Sequence, residues 1–438
     1  MISWDDLRGK RVGVWGLGRE GQANLRKLGT LGVEPVPVDD QPAQPGVLAT
    51  ADGGLDALKQ CDVVVKTPGI SRYRSEVAEL EANGVTVTGG LGLWLAGADR
   101  SRVVCVTGTK GKSTTTSVIG HLLTGLGYRC LAGGNIGVSP YDPDDPSYDY
   151  WVIEVSSYQA TDLRCAPPVV AVTSLHPDHL DWHGGVEQYY RDKLSLCTRP
   201  GAELTVANGD SDLLRARRDL LAPEVAWVSA EDDPGATWMA PLGLRGQHNR
   251  RNALIARRCL AALGIDAAHD DAAMRAAAVG YQPLPSRLTT VGTAGGVTFV
   301  DDSLSTNVLP TLAAVDAFPG ERIALIVGGH DRGIDYAPLA AGILARKEPT
   351  LVLCIPDSGP RIHAAFPAGR PDVVDCASLA DAVSVGFRWA RPAGVVLLSP
   401  AAPSFGQFRD YRDRGEAFTR SVLDVDAEVV GERRGEPD

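Results

Sequence analysis

The eight cysteines of this 438-residue chain (Cys61, Cys105, Cys130, Cys165, Cys197, Cys259, Cys354 and Cys376) are scattered, and no two form a Cys-x-x-Cys pair. Lack of that spacing argues against a metal cluster. Several lie inside apolar runs, as small core residues do, and the pattern suits a reducing cytosol. No apolar run approaches the roughly eighteen residues of a membrane span. Net positive charge is missing too. The balance is -11, which argues against broad binding to nucleic acid or an anionic membrane. Anionic substrates remain open, since they need only local basic pockets. The opening Met1-Ile2-Ser3-Trp4-Asp5-Asp6 has neither the charge nor the apolar core of a signal peptide, so a cytoplasmic location is expected. Internal repeats and low-complexity segments are absent as well.

What is present is a soluble globular composition, 44% apolar and 22% charged, with a length suggesting about three domains. The strongest signal is Val103-Val104-Cys105-Val106-Thr107-Gly108-Thr109-Lys110-Gly111-Lys112-Ser113-Thr114. A β-branched apolar run reads as a buried strand, a glycine loop follows, and a helical pattern over 117–126 comes next. This is the strand–loop–helix of a nucleotide phosphate site. Backbone N–H groups can close around phosphate oxygens, and the helix start adds partial positive charge. Lys112 can reach the β/γ-phosphates and the Ser113 hydroxyl can bind Mg²⁺. The usual loop has a glycine where Val106 stands, so this is a short variant.

Around the loop the chain alternates strands and helices, an α/β pattern in three parts. Residues 1–97 read as a Rossmann-like unit with strands near 11–15, 35–38, 62–66 and 85–88. Residues 98–285 hold the phosphate loop, with strands near 150–155, 169–173 and 203–206 and a helix over 251–263. Gly280-Tyr281-Gln282-Pro283-Leu284-Pro285 reads as a stiff linker. Residues 286–438 form a third α/β unit with strands near 297–300, 322–327, 350–355 and 395–399.

Four further constellations carry chemistry. Gly16-x-Gly18-x-x-Gly21 with Asp39 downstream matches a dinucleotide fingerprint; an NAD oxidoreductase is therefore a rival class. Glu154 ends a buried strand, where a lone carboxylate is costly unless paired or metal-bound, and Mg²⁺ beside the phosphate loop explains it. His176, His179 and His183 have zinc-like spacing, but Pro177 breaks a continuous helix, which favours a single histidine on Mg²⁺. Lys193, on a helical segment over 186–197, reads by default as a solvated surface lysine. In the third unit, polar loops at 301–307, 328–332 and 399–405 follow strand ends and mark a ligand crevice.

Seven motifs occur in order: Thr107-Gly108-Thr109-x-Gly111-Lys112-Ser113-Thr114, Gly134-Asn135-Ile136-Gly137, Glu154-x-Ser156-Ser157-Tyr158-Gln159, Asp178-His179-Leu180-Asp181, Gly246-Gln247-His248-Asn249, Asp302-Ser303-x-x-Thr306-Asn307 and Leu398-Ser399-Pro400-Ala401. With these the chain resembles the Mur ligases over nearly its whole length. It is most similar to the glutamate-adding MurD type, which joins glutamate to UDP-N-acetylmuramoyl-L-alanine in peptidoglycan synthesis.

The resemblance implies a three-domain architecture: a UDP-binding Rossmann-like domain, a central P-loop ATPase-like domain and a C-terminal α/β domain for the amino acid. It implies UDP-substrate contacts at Gly16, Leu17, Gly18, Arg19, Glu20, Asp39, Thr67, Pro68 and Gly69, and muramoyl contacts at Asn135, Ser156 and Gln159. ATP would lie on Gly108, Thr109, Lys110, Gly111, Lys112, Ser113 and Thr114, with Asn249, Asn252, Arg287 and Asp302 around adenosine and ribose. Two Mg²⁺ ions are implied, one on Ser113 and Glu154, the other on His179 and a carbamylated Lys193. Lys112, Lys193 and His179 would be the catalytic set. Glutamate would meet Thr306, Arg332, Ser404 and Tyr411. A monomer acting on small molecules is expected, with neither nucleic acid nor membrane as partner.

Departures from the family pattern cluster in two places. Lys110 stands where Asn is usual. In the amino-acid pocket Leu304 and Arg332 replace lysines and Tyr411 replaces a phenylalanine. Together with the opening Val14-Trp15-Gly16-x-Gly18-Arg19-Glu20-Gly21, these lean toward the branch that adds L-glutamate. The alternatives are D-glutamate addition and, further off, a folylpolyglutamate synthase-like ligase, which would not need the first unit.

Overall fold

The computed structural model describes residues 1–142, 145, 147–370 and 372–435. Its strands build three sheets. The first sheet is parallel, with β1 (Val12–Trp15), β2 (Val36–Asp39), β3 (Leu48–Ala49), β4 (Val63–Lys66) and β5 (Thr86–Gly89) in the order β3-β2-β1-β4-β5. Every residue of β1 and β4 is buried, as the apolar runs require for central strands covered on both faces. Val12 and Val14 face one cluster, with Leu28 and Leu93; Trp15 and Val64 face the other, with Leu58 and Leu80.

The second sheet is parallel too, with β6 (Val103–Thr107), β7 (Cys130–Gly134), β8 (Tyr150–Glu154), β9 (Val169–Val172), β10 (Leu204–Asn208) and β11 (Glu224–Val228) in the order β11-β10-β9-β6-β8-β7. Here β6 is central. The chain leaves it toward β7 and β8 on one side and later returns to β9 on the other. That reversal of strand order is the topological switch point, where open α/β sheets bind ligands at the carboxyl ends of their strands.

The third sheet holds β12 (Thr289–Ala294), β13 (Val297–Asp301), β14 (Ile323–Gly328), β15 (Thr350–Ile355), β16 (Val373–Asp375) and β17 (Gly394–Leu398) in the order β12-β13-β17-β14-β15-β16. All neighbours are parallel except β12 and β13, which pair antiparallel with a register shift between Thr290 and Gly292. Two compact units result: Met1–Leu242 with Asn249–Tyr281, and Gly243–His248 with Gln282–Asp438. The first two sheets belong to the first unit and the third sheet to the second. The stretch Gly243–His248 therefore sides with the unit that follows it.

The sequence reading placed the inner strands and missed β3, β7, β11, β12 and β16. All five are sheet edges. Edge strands lose one neighbour and need no continuous apolar run, and β12 (TTVGTA) and β7 (CLAGG) have little β-branched apolar content. Helix ends moved as well. The helix after the phosphate loop starts at Lys112, five residues before its apolar pattern begins, and the next long helix is Gln247–Ala262. The segment carrying Lys193 is an α-helix over Val186–Leu194 that tightens to a 3₁₀ turn at Ser195–Thr198.

Candidate active site

The phosphate loop leaves β6 at its carboxyl end. Gly108 has φ +132°, and a Cβ there would lie 2.3 Å from Thr173 Oγ1, so only glycine passes. The loop is clamped from the β9 side. The Thr109 and Lys110 N–H groups donate to Ser174 O and Ser174 Oγ at 2.9 and 2.8 Å. The Thr173 hydroxyl donates to Lys110 O at 2.6 Å. Lys112 opens the helix and its Nζ donates to Thr109 O at 3.0 Å. Lys110 pairs with Asp178 at 3.4 Å.

Register brings the acid to the loop. Val106 pairs with Glu154 across β6 and β8. Glu154 is buried, and its Oε1 accepts from Asn135 Nδ2 at 2.7 Å. Its Oε2 is buried with no hydrogen-bond partner. An unpaired carboxylate oxygen in that position is costly and fits a hard dication. Among the described residues no three His, Cys, Asp or Glu side chains converge as a complete cage. The single Glu154 oxygen fits Mg²⁺, which takes one or two protein carboxylates and completes its shell with phosphate and water.

On the β9 side His179 adopts φ +52° and caps the short helix Leu180–His183. Its side chain is half exposed, its pKa is lowered by burial, and its ring lies 5.1 Å from that of Tyr158. Lys193 overturns the surface-lysine reading: it is 2% exposed, and Nζ donates to Gly108 O at 3.0 Å. Burial first, and the Lys112 ammonium second, push its pKa well below the ordinary lysine range. Burial thus disfavours the ammonium and favours the neutral amine, the form that reacts as a nucleophile. His183 is not a metal ligand. Its Nδ1 meets Asp192 Oδ2 at 2.6 Å and its Nε2 meets Ser157 Oγ at 3.0 Å, so both ring nitrogens are engaged.

The first sheet's loop joins this region. Gly16 has φ +90° and a Cβ on it would strike Thr67 Oγ1 at 2.2 Å, which packs the glycine loop on the Thr67-Pro68-Gly69 turn. The Asp39 carboxylate accepts from the N–H groups of Leu17 and Gln41; it holds the loop in shape. Arg19 Nη2 donates to Asn135 O at 3.1 Å, and Gln159 Nε2 to Glu20 Oε2 at 3.1 Å. Ser156 and Gln159 form a reciprocal capping box on the helix Ser157–Ala160. A continuous path thus runs from Arg19 through Asn135 to Glu154. Burial raises the Glu20 pKa to about 7.

One pair escaped the sequence reading. Lys66 and Asp162 are both buried and 2.5 Å apart, with Arg72 also on Asp162 at 3.3 Å. The signal was available: Lys66 ends the run Val63-Val64-Val65 just as Glu154 ends its own strand. With Glu20, Pro68, Gly89, Leu91, Gly92 and Gln159 they line a small pocket. Asn249 and Asn252 are buried in the first unit, 3.2 Å apart, and Asn252 backs the loop at Gly111.

Arg287 and Asp302 belong to the second unit. There β13, β17 and β14 are adjacent, so the polar loops after them stand side by side. The Asp302 carboxylate accepts from Ser305 Oγ at 2.5 Å and Ser399 Oγ at 2.7 Å, and burial raises its pKa to about 7. The fully buried Arg414 donates to Ser303 O, Gly328 O and Ala402 O, fastening all three loops. Ser404 is buried, Thr306 and Tyr411 are partly exposed and Arg332 is exposed.

Residues 106–240 match the Mur ligase middle domain. A UDP-N-acetylmuramoyl-L-alanine–L-glutamate ligase from a Micromonospora species is 43% identical, over 96% of this chain and 98% of its own. A ligase of the same name from Xanthomonas axonopodis pv. citri is 38% identical, over 94% and 95%. Among solved structures, the UDP-N-acetylmuramate–alanine ligase MurC of Thermotoga maritima superposes with a TM-score of 0.56 at 17% identity, over 95% of this chain and 99% of its own. With its phosphate loop, its lone strand-end carboxylate and this likeness over nearly its whole length, the chain belongs to the Mur ligase family, as an ATP-dependent, ADP-forming acid–amino-acid ligase of the MurD type.

Proposed function

We propose that this enzyme joins L-glutamate to UDP-N-acetylmuramoyl-L-alanine through an acyl phosphate, in the cytoplasm and as a monomer. The observation that carries the reading is the meeting of three groups at the carboxyl ends of β6, β8 and β9: the phosphate loop, Glu154 with its unpaired oxygen and the buried amine of Lys193. L-glutamate is favoured because both relatives carry that substrate in their names. The exchanges at Leu304, Arg332 and Tyr411 agree with it.

A carboxylate is a poor electrophile, and moving the γ-phosphoryl of ATP onto it creates a good leaving group. Lys112 sits where its ammonium offsets phosphoryl charge. Ser113 and Glu154 would hold one Mg²⁺, and His179 with Lys193 a second. Bound there, the ions would supply charge neutralisation. For Lys193 to serve, its amine in the neutral form would first add carbon dioxide, forming an N–C bond and releasing a proton to solvent, to give a carbamate whose oxygens suit a hard cation. The glycine loop of residues 16–21 would take the UDP pyrophosphate on its N–H groups, with Asp39 and Thr67-Pro68-Gly69 bounding that site and Asn135, Ser156 and Gln159 facing the muramoyl part. Asn249, Asn252, Arg287 and Asp302 would serve adenosine. Residues 1–97, 98–285 and 286–438 would then divide as UDP, ATP and amino-acid domains.

For glutamate, Arg332 can grip a carboxylate with two parallel bonds, while Thr306, Ser404 and Tyr411 add hydroxyl donors. Phosphate release from ATP with UDP-N-acetylmuramoyl-L-alanine and each glutamate enantiomer tests the reading. Faster turnover is expected with L-glutamate; faster turnover with D-glutamate at equal concentration overturns the preference. Calorimetry with NAD(H) should show no binding at the glycine loop, whereas the UDP-sugar should bind.

A further inference from the structure

His183 and Asp192 sit at the centre of a buried hydrogen-bonded chain that the mechanism above does not use. Asp192 Oδ1 accepts from Tyr73 Oη at 2.6 Å and from Gln188 Nε2 at 2.8 Å, and Oδ2 accepts from His183 Nδ1 at 2.6 Å. An ionised carboxylate only accepts, which places the ring proton on Nδ1. In the neutral ring Nε2 then accepts the Ser157 hydroxyl proton at 3.0 Å. Ser157, His183 and Asp192 are all buried.

The ring also packs outward on both sides. Tyr158 stacks on it at 5.6 Å and reaches on to His179 at 5.1 Å. Tyr189 meets it edge-on at 5.2 Å, and the Tyr189 hydroxyl lies 2.8 Å from Thr109 Oγ1 in the phosphate loop. One imidazole thus ties together the segment after Glu154, the turn carrying His179, the helix carrying Lys193 and the phosphate loop.

Those pieces need an outside anchor. The helix Leu180–His183 has four residues, too few to hold itself, and His179 sits at its strained start. Lys193 follows Asp192 directly. The chain begins in the first sheet's connection at Tyr73, whose neighbour Ser71 donates to Trp182 O at 3.5 Å. We infer that Asp192 and His183 are positioning residues for the ligation, anchoring the turn that carries His179 and the helix that carries Lys193 and fixing the direction of the Ser157 hydroxyl. This rests on the reading that His179 and Lys193 face that cation.

The test titrates Mn²⁺ in the presence of β,γ-methylene-ATP, followed by the paramagnetic signal, on the full chain carrying Asp192→Asn, His183→Phe, Tyr73→Phe or Lys193→Ala. Loss of an outer-shell partner costs roughly 10–100-fold in metal affinity or activity. Asp192→Asn and His183→Phe should therefore weaken the second Mn²⁺ by at least about tenfold and lower kcat comparably, with the KM for ATP little changed. Tyr73 is half exposed, so Tyr73→Phe should fold and produce a smaller loss in the same direction. Histidine ¹⁵N spectra give a signature that packing alone would not move: His183 should carry its proton on Nδ1 in the wild type and on Nε2 in Asp192→Asn, where the amide becomes the donor. A second Mn²⁺ lost in Lys193→Ala but intact in all three other variants overturns this inference alone. A second Mn²⁺ that survives Lys193→Ala overturns the metal reading and this inference with it.

Discussion

The phosphate-loop region and the three-loop crevice of the second unit, proposed above to hold anions, are built by opposite means. In the first the reactive side chains are enclosed. Glu154 and Lys193 are 1% and 2% exposed, and the loop's amides are clamped by Thr173 and Ser174. In the second the buried cation, Arg414, donates to three backbone carbonyls, Ser404 is buried in the same set of loops, and Thr306, Tyr411 and most of all Arg332 reach toward the surface. The N–H groups of Thr109 and Lys110 both donate to Ser174, so the loop backbone of the first region is fixed by protein contacts alone. The second region fixes its loop backbones through Arg414 and leaves its exposed side chains free to vary, which suits the amino-acid site proposed above. The exchanges at Leu304, Arg332 and Tyr411 fall where variation is mechanically cheap.

The sharpest break of this contrast is Lys112→Ala. It should lower kcat by roughly a thousandfold or more, consistent with about 4 kcal/mol of lost transition-state stabilisation, while the melting temperature stays near wild type. A folded variant with near-normal phosphate release would show that the rigid cradle does not hold the reacting phosphates.

Next comes Lys66→Met. Removing one partner of a buried ion pair leaves the other charge uncompensated and costs about 3–5 kcal/mol; Arg72 at 3.3 Å should hold the loss to the lower end. Denaturant unfolding measures it. The double variant Lys66→Met/Asp162→Leu should recover most of the loss, and a double variant no more stable than the single one would show that the pair is not the source.

In the second region the effects should be smaller and confined to one substrate. Arg332→Ala should raise the KM for glutamate by roughly 10–50-fold, as expected for about 1.5–2.3 kcal/mol from charge-assisted bonds, with the KM for ATP within about threefold. Equal changes in both would remove Arg332 from the glutamate site.

The smallest effect is a pH slope. The folded pKa of Asp302 is raised to about 7 by burial, from the model-compound value near 4. Between those values the folded protein keeps a proton that the unfolded chain has released. Its contribution to stability is therefore fully present below about pH 4 and is lost as pH rises toward 7. Asp302→Asn should flatten that part of the stability profile, as followed by thermal unfolding at fixed ionic strength. A profile identical to wild type would place the titration elsewhere.

Legibility in the sequence followed the same divide. The inner strands β1, β4, β6, β9 and β14 are covered on both faces and spell apolar runs; the five missed strands are edges, and half-covered edges leave little trace. Gly108, Lys112 and Glu154 were legible because each is an exception that its neighbours make conspicuous: a glycine between a strand and a helix, a charge at the end of an apolar run. Lys66, at the end of such a run, left the same trace, but its partner Asp162 did not, nor did Asp192 and Arg414, because their meaning depends on partners roughly 10 to 120 positions away. Lys193 shows the divide within one residue: from the helix pattern alone it reads as a surface lysine.

What the sequence determined by itself is the set of local conformations: which strands are buried, where the chain must turn through glycine and where a phosphate can rest on a helix start. Short-range sterics and hydrophobic periodicity act within a few residues and so are written along the chain. What only the tertiary structure decided is which charges are stripped of water and which partner each one finds. The lowered pKa of Lys193, the raised pKa of Asp302 and the unpaired oxygen of Glu154 all come from desolvation, and desolvation is set by everything packed around a group, whatever its distance in the chain.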